Sequence, residues 1–593
     1  MKHAVPPQVY EQLIAKYTAE LKIIKNHLWR ASVARLMVFI AFGAGIYSLF
    51  WQVSTLTILA TFAALSIFLW LIQYSTRLNN HRTFIDHLLQ ININEQGMFN
   101  QQTNRFAGKP VEVLPQSYLD DLDVFGNGSL FEMLNRTQTL QGQNELAGLL
   151  KKSFTEQQSI EVYQQAISTF SPQTNTRQAI LAEAMVVHAQ PLNHNDLFTW
   201  VLQPLVLPTK KWLLVASFLL PIINIATLLY NLETGNYIPL VLSILVSWLC
   251  LGNVIKHTGQ QSNIIGKKEE VLKGYANMLE RFSKVEVQQA VLLQHLQQQT
   301  LQAGKEIKKL SQLSNLLDQR MNILVFILLN SFLLYDVHCL AALERWKRQH
   351  RNNLAIWIKA VGTIECLNSL ATYAFNRPEN KYPTFTQKLG IRATGLYHPL
   401  ISLNENVAND ITLGSPQQLM LITGSNMSGK TTFLRTVGTN VLLAQCGLPV
   451  CAAQFVFSPM RLYTSIRISD SLQQHTSYFM AELKRLHYIV DEILGGQPSL
   501  VLIDEILRGT NSDDKFQGSH QFVQKLIQYH CLSLFATHDL ALSNLQNQHP
   551  DKVVNYCFES TIQNNELLFD YTILPGVAKN KNASFLMKKM GII

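Results

Sequence analysis

Leu419-Met420-Leu421-Ile422-Thr423-Gly424-Ser425-Asn426-Met427-Ser428-Gly429-Lys430-Thr431-Thr432 is the stretch on which the fold of this chain turns. Four apolar residues read as a buried strand, a loop with glycines at both ends follows, and Phe433 to Gln445 continues as a helix. This is the pattern Gly-x4-Gly-Lys-Ser/Thr in a strand–loop–helix setting, which cradles nucleotide phosphates. Gly424 and Gly429 let the backbone wrap close to phosphate oxygens, and N–H groups at the helix start point at them. Residues 424–432 (Gly424, Ser425, Asn426, Met427, Ser428, Gly429, Lys430, Thr431, Thr432) are therefore the expected ATP-binding loop. Lys430 is assigned to the β- and γ-phosphates and the Thr431 hydroxyl to Mg²⁺.

The other half of such a site is an apolar strand that ends in acids. Ser499-Leu500-Val501-Leu502-Ile503-Asp504-Glu505 supplies it. Asp504 is placed to hold Mg²⁺ and Glu505 to orient or deprotonate the attacking water. Adjacent carboxylates at a buried strand end need partners, so a purely structural role is costly. A third strand, Cys531 to Ala536, ends in Thr537-His538-Asp539, where His538 is positioned to sense the γ-phosphate.

Outward from this α/β P-loop domain, taken as residues 376–593, the composition changes. The chain has 593 residues, 47% hydrophobic and 15% charged, with a formal net charge of +9. Its mean hydropathy is +0.07. High apolarity with few charges suggests segments that reach into lipid, and the positive charge favours a polyanion, either nucleic acid or an anionic membrane face. The seven cysteines show no CxxC pair or metal spacing and read as reduced, buried thiols. No cleavable signal is expected from the polar first thirty residues.

Four apolar runs pair into two hairpins, Leu36–Trp51 with Leu56–Tyr74 and Trp212–Tyr230 with Tyr237–Ile255. Each approaches the length needed to cross roughly 30 Å of hydrocarbon. Arg30, Arg35, Arg77 and Arg82 flank the first pair, and Lys210, Lys211, Lys256, Lys267 and Lys268 the second, while neither connecting turn carries Lys or Arg. The positive-inside rule then puts both termini and the α/β domain in the cytoplasm of a four-span inner (plasma) membrane protein. The alternative is a pair of buried hairpins in a soluble bundle. A fifth run, Ile323–Tyr335, is shorter and broken by Asn330-Ser331, and is expected to be a buried core helix. Residues 264–320 read as long helices of a bundle, with helix-compatible spacing from Val285 to Leu317. The prolines in 376–385 mark the boundary of the α/β domain.

Several segments together resemble one family, the MutS ATPases. Gly424 to Thr432, with its Asn-Met pair, resembles the MutS phosphate loop; Asp504 to Asp514 resembles its second acidic strand and following loop. Phe535 to Asp539 is similar to its switch-histidine segment and Ser477-Tyr478-Phe479-Met480-Ala481-Glu482-Leu483 to its Ser-Thr-Phe-Met-x-Glu-Met signature. Gly395–Pro399, Asn409-Asp410 and Tyr571–Gly576 fit the family's entry into and exit from the domain. Gly128 to Thr139 looks like the start of its helical core and lever region. The resemblance implies an ATP- and Mg²⁺-dependent hydrolase acting as a dimer, identical or mixed, with Ser477 reaching the γ-phosphate of the partner copy and Tyr571 stacking on adenine. Taken with the hairpins read above, which the family resemblance does not imply, the expectation is a mixed fold: residues 1–110 with one membrane hairpin, a helical core and lever domain over 111–375 with the second hairpin inserted, then an ABC-type α/β ATPase domain.

The departures bear on function. MutS proteins read mismatches with an N-terminal Phe-x-Glu wedge, whereas residues 1–110 here are a membrane hairpin with polar flanks. Phe154-Thr155-Glu156 falls inside the helical core and is read as coincidence. No counterpart of the family's C-terminal dimerisation segment is expected before Ile593. Three functions remain open: a membrane-tethered clamp on DNA, with Lys305–Lys309 and Arg345–Arg351 as candidate contacts; a membrane-remodelling or transport-coupled ATPase without DNA; and an adaptor in which ATP regulates assembly. The Leu-Ser-Gly-Gly-Gln signature of ABC transporters is missing.

Overall fold

A computed structural model describes residues 5–51, 54–108, 111–112, 117–189, 194–205, 211–467, 478–507, 511–563 and 566–579. They belong to two compact units, one drawn from residues 1–105, 175–284 and 299–361, the other from 106–174, 285–298 and 362–593.

The first unit is helical. Helices α1 (Pro6–Trp51) and α2 (Thr55–Phe99) run far beyond their apolar segments. Ser54 starts α2 as a capping box with Thr57, its hydroxyl accepting from the Thr57 N–H at 3.2 Å. Tyr10 meets Phe99 at 6.3 Å and Gly45 lies against Thr61, so the pair is an antiparallel hairpin. Buried Tyr10, Tyr17, Leu21, Ile24 and Ala31 fall close to heptad spacing along the polar arm of α1. Helices α3 (Lys211–Thr234) and α4 (Ile238–Ile265) form the second hairpin, with α4 bent at Gly252. Then come α5 (Ala303–Gln319), α6 (Ile323–Leu333) and α7 (Tyr335–His350).

One expectation is refined here and one is corrected. Residues 264–320 hold helices as expected, but short ones: Glu269–Phe282, Val291–Thr300 and α5 are separate, with turns between them. Gln297 Nε2 donates to the Val285 carbonyl at 2.8 Å and closes the turn before the middle helix, a side-chain contact that apolar periodicity does not register. The fifth apolar run is not a buried core helix. In α6, Leu324 is 69% and Leu328 59% exposed, while the buried residues are Asn330 and Ser331. A helix apolar all round carries no signal of which face is covered, and its shortness misled.

Among the described residues, four helices are long and apolar enough to cross a membrane, or up to six elements if each of two bent pairs counts as one. Three are α1, α2 and α3, whose apolar windows are 0, 11 and 22% buried. The fourth, α8 (Asn353–Asn376), is 78% buried in its window, as a core helix would be. α4 passes the test only as a bent pair.

The second unit is built around an α/β sheet domain. β1 (Thr384–Phe385), β2 (Gly390–Leu396), β3 (Asn409–Gly414) and β5 (Gln454–Phe457) make a small sheet in the order β1-β5-β2-β3. β4 (Leu419–Gly424), β6 (Arg461–Ser465), β7 (Ser499–Asp504), β8 (Cys531–Thr537), β9 (Val553–Gln563) and β10 (Glu566–Pro575) make a larger one in the order β10-β9-β4-β8-β7-β6. It is parallel except at the β9–β10 edge. Every residue of β4, β7 and β8 is buried, as continuous apolar runs in a sheet covered on both faces require. The covering helices include α9 (Lys430–Gln445), α10 (Tyr478–Leu494) and α11 (Ser512–Gln528). Because β4, β8 and β7 are parallel neighbours, Thr423 pairs with Thr537 and Asp504 with Ala536. The loops after all three strands therefore open on one edge, where ligands of such sheets bind.

Candidate nucleotide site

The site starts at the carboxyl end of β4. Gly424 adopts φ 155° in the left-handed half of the map, and a Cβ there would sit 2.9 Å from the Phe558 carbonyl oxygen. Gly429 takes φ 106° as the N-cap of α9, with Tyr571 and Phe558 close against it. Both positions need glycine because their backbone lies in the left-handed region with protein atoms close by. Ser428 Oγ donates to the Ser425 carbonyl at 2.9 Å and tightens the turn, leaving Met427 exposed at its tip.

Lys430 is 6% exposed, and its Nζ donates to the carbonyls of Gly424 and Ser425, both at 2.8 Å. A buried ammonium held by its own loop is ready to exchange carbonyl oxygens for phosphate oxygens. Thr431 Oγ1 donates to Asp504 Oδ2 at 2.6 Å, so the two proposed metal ligands already touch. A hydroxyl and a carboxylate are hard oxygen donors, and two protein ligands beside phosphate suit Mg²⁺, which keeps much of its water.

Glu505 follows with φ 56°, an uncommon conformation for a residue with a Cβ, and its N–H donates to the Ala536 carbonyl at 2.9 Å. Its carboxylate binds Lys515 Nζ from α11 at 2.6 Å and lies 3.9 Å from His538 Nε2. Partial burial, and then the nearby Lys430 ammonium, hold the His538 pKa below its ordinary value against the pull of Glu505. His538 is thus neutral at physiological pH. Glu482, fully buried on α10, accepts the Leu507 N–H at 2.9 Å and fixes the loop after β7.

These residues surround a cavity of about 600 Å³ lined by residues 425–433 together with Asp504, His538, Phe558 and Tyr571. Of the expected residues, Gly424 and Glu505 stand just behind that lining. Ser477 and residues 508–510 lie outside the described residues. Sequence reasoning missed the opposite wall. Ile401, Glu405, Asn406 and Val407 line it from the loop between β2 and β3. Asn406 Nδ2 holds that loop by donating to the carbonyls of His398 and Ile401 at 2.7 and 3.1 Å. Asn409 ties β3 to Tyr571 through its carbonyl at 3.0 Å.

A second cluster lies behind the site. Asp121 accepts from Thr464 Oγ1 and from the N–H groups of Ile466 and Arg467 at 2.5, 3.2 and 2.7 Å. Asp123 pairs with Arg435 of α9 at 3.1 Å and with Arg467 at 2.5 Å. The helix carrying Lys430 and Thr431 is thereby fastened to a segment more than 300 residues earlier. Phe154 belongs to the same unit, its ring 4.7 Å from Tyr163, a packing contact rather than a presented wedge.

The family model for MutS domain V matches residues 420–590. Among curated proteins, MutS protein homolog 4 of Homo sapiens is 31% identical over 236 residues, 38% of this chain and 25% of that protein. Its Mus musculus counterpart is 30% identical over 237 residues, 38% of this chain and 24% of that protein. DNA mismatch repair protein MutS of Thermotoga neapolitana is 33% identical over 238 residues, 39% of this chain and 29% of that protein. The chain thus spans about a quarter of the length of the curated relatives it matches. The C-terminal α/β domain, from within β4 onward, is homologous to MutS domain V.

Proposed function

We propose that this chain is a membrane-anchored ATP hydrolase of the MutS type, which couples ATP turnover to DNA held by a dimer at the cytoplasmic face of the membrane. One observation carries the hydrolase reading: Lys430, the Thr431–Asp504 pair and His538 line one cavity at the strand edge, and the Glu505 carboxylate lies 3.9 Å from His538. In this reading residues 424–432 wrap the phosphates and Lys430 moves from its loop carbonyls to the β- and γ-oxygens. Thr431 and Asp504 would hold Mg²⁺, which supplies charge neutralisation on the phosphates when bound. Glu505 orients the attacking water and takes its proton, and neutral His538 holds the γ-phosphate or that water by a hydrogen bond rather than by charge. Tyr571 offers its ring to the adenine. The family resemblance adds Ser477 of a second copy as the group that completes the site.

Membrane anchoring rests on the exposed apolar belts of α1 to α4. Phe50, Trp51, Leu56, Phe218 and Leu249 are each more than 60% exposed, far beyond scattered surface apolarity. Trp212 lies at the start of the second hairpin, and Tyr230 and Tyr237 flank its turn, as interfacial aromatic belts do. The basic flanks orient both hairpins outward and leave the α/β domain in the cytoplasm of an inner-membrane protein.

DNA as ligand follows the printed role of the Thermotoga neapolitana relative in DNA mismatch repair, together with the net positive charge. Lys305, Lys308, Arg345, Arg348 and Arg351 are exposed and available to phosphates. Lys347 is not: it is 2% exposed with its Nζ 4.3 Å over the Trp200 ring. The test is ATP turnover by detergent-purified protein with and without homoduplex, mismatched and branched DNA. Turnover that responds to DNA supports the clamp. Turnover that ignores every DNA while still requiring Glu505 removes the clamp and leaves the remodelling or transport-coupled motor.

A further inference from the structure

The apolar run that proved to be exposed, α6, has a path of its own. It leaves α5 through a bend of 103°, runs for 11 residues, reverses at Leu334 with φ 47° and returns as α7. At 1.5 Å per residue it is about 16 Å long, half of a bilayer's hydrocarbon. Side-chain contacts fix its level beside the second hairpin. Arg320, just before α6, reaches the Ile255 carbonyl at 3.5 Å, near the basic-flanked end of α4. One turn into α6, Phe326 meets Trp248 edge-on at 6.0 Å. Near its far end, the Ser331 carbonyl accepts from Asn224 Nδ2 at 2.9 Å and Ser331 Oγ from Trp248 Nε1 at 3.0 Å. Asn224 is midway along α3. On the way back, Asp336 approaches Thr258 at 3.5 Å and His338 meets the Ser217 carbonyl at 3.1 Å, both towards the end where the path began.

We propose that α6 is a re-entrant element that enters the cytoplasmic leaflet beside the second hairpin, turns at mid-depth and leaves on the same side. Its occupant is the hydrocarbon of that leaflet. The proposal rests on the membrane reading above and extends it to a segment too short to span. Three observations support it. The outward face of α6, Ile323, Leu324, Ile327 and Leu328, continues the exposed apolar surface of the hairpin it packs on. Every polar side chain in α6, Asn330 and Ser331, is turned inward, where Asn330 Oδ1 accepts the Asp336 N–H at 3.0 Å. Both ends of the excursion are tied at its neck: Arg320 Nη2 binds Asp336 Oδ2 at 2.9 Å, and Tyr335 Oη donates to the Leu316 carbonyl at 2.8 Å. Non-spanning backbone at membrane depth is tolerated where protein satisfies its polar groups, as Asn224 does for the Ser331 carbonyl and Asn330 Oδ1 for the Asp336 N–H.

The full-length chain with Cys250→Ser, the one partly exposed cysteine among the seven, serves as background. Single cysteines at Leu328, at Leu245 on the exposed face of α4, and at Glu233 beside the outer turn are placed in phosphatidylcholine nanodiscs. Their reaction with a charged, water-soluble maleimide is timed, and bimane attached at each is quenched with nitroxide-bearing lipid. Leu328→Cys and Leu245→Cys are expected to react at least about tenfold more slowly than Glu233→Cys, and both bimanes to be quenched by lipid. If Leu328→Cys reacts as fast as Glu233→Cys while Leu245→Cys stays protected, α6 lies in water and the re-entrant proposal fails, with the hairpin intact. Free reaction at Leu245 as well would overturn the membrane reading itself. Protection at Leu328 without lipid quenching would mean that protein covers α6, which also overturns the proposal.

Discussion

The strand core of the α/β domain and the helices α3, α4 and α6 are built from the same apolar residue types in opposite senses. In β4, β7 and β8 the apolar side chains are all inside, and the chemistry-bearing groups stand at the strand ends, where backbone pairing stops. Around the second hairpin many apolar side chains point out while Leu213, Leu220, Leu251 and Val254 pack inside, and Asn224, Ser247 and Ser331 add polar interior contacts, with Asn224 Nδ2 also donating to Ser247 Oγ at 3.1 Å. Water rewards the first arrangement and penalises the second; hydrocarbon does the reverse. On the proposed membrane reading, the strand core faces water and the hairpin faces hydrocarbon.

The largest effect belongs to the strand-end chemistry. Glu505→Gln should lower ATP turnover about 10²–10⁴-fold, the usual worth of a positioned general base, and leave ATP binding in place. Lys430→Ala should instead abolish binding, read by fluorescent-nucleotide titration. Equal turnover in wild type and Glu505→Gln would strip the strand edge of the role proposed for it. Next comes a matched pair on the helical side. Leu245 and Leu301 are both exposed, at 56 and 78%, but only Leu245 sits on the apolar belt. Leu245→Arg should cost about 2.5–3.5 kcal/mol of membrane insertion, seen as protein lost from carbonate-washed membranes. Leu301→Arg should stay within about 0.5 kcal/mol, as exposed positions in water do. If both are silent, the belt is an ordinary water-facing surface.

Much of the strand-end chemistry was legible in the sequence because its parts are contiguous. Gly424 to Thr432, Asp504-Glu505 and His538 each sit at the end of one apolar run, and parallel pairing alone brings the three ends together. The far wall was not legible. Asn406 and Phe558 carry no local signal, and Asp123 finds Arg435 only after a separation of 312 residues. α6 was misjudged for a different reason: its apolarity has no period, so only its packing on α3 and α4 says which side is covered. The length of the apolar runs was readable, but their polar helical arms were not, since α1 and α2 extend as helix through polar sequence.

Buried asparagines give a smaller effect and a finer comparison. In α9, Asn440 donates to the Tyr397 and Thr436 carbonyls at 3.0 and 2.9 Å and accepts the Cys451 N–H at 2.8 Å. Asn440→Leu orphans buried backbone groups and should cost about 2–3 kcal/mol by urea denaturation. Asn224→Leu, in the hairpin, should cost only about 1 kcal/mol, because a membrane-embedded reference state finds other partners. A hairpin asparagine that costs as much as Asn440 would point to an aqueous core there too.

The smallest effect separates the regions by pH. His398, 7% exposed in the α/β domain, has its pKa pushed down to about 4 by burial and then by the Arg435 guanidinium, with Asp123 opposing in part. Its ring is held neutral, with Nδ1 accepting the Leu400 N–H at 3.2 Å. The folded pKa lies below the ordinary histidine value of 6.5, so the unfolded chain takes up a proton first as pH falls. The stability His398 contributes is therefore complete above pH 6.5 and drains away between 6.5 and 4. From pH 7 to 5.5 the loss should be about 1 kcal/mol, seen as a lower Tm of the α/β transition in calorimetry. His398→Asn keeps an acceptor for Leu400 without a titrating ring, and should flatten that slope by the same amount. A slope that survives the substitution would move the pH dependence elsewhere; His538, also depressed and in the same domain, is the next group to replace.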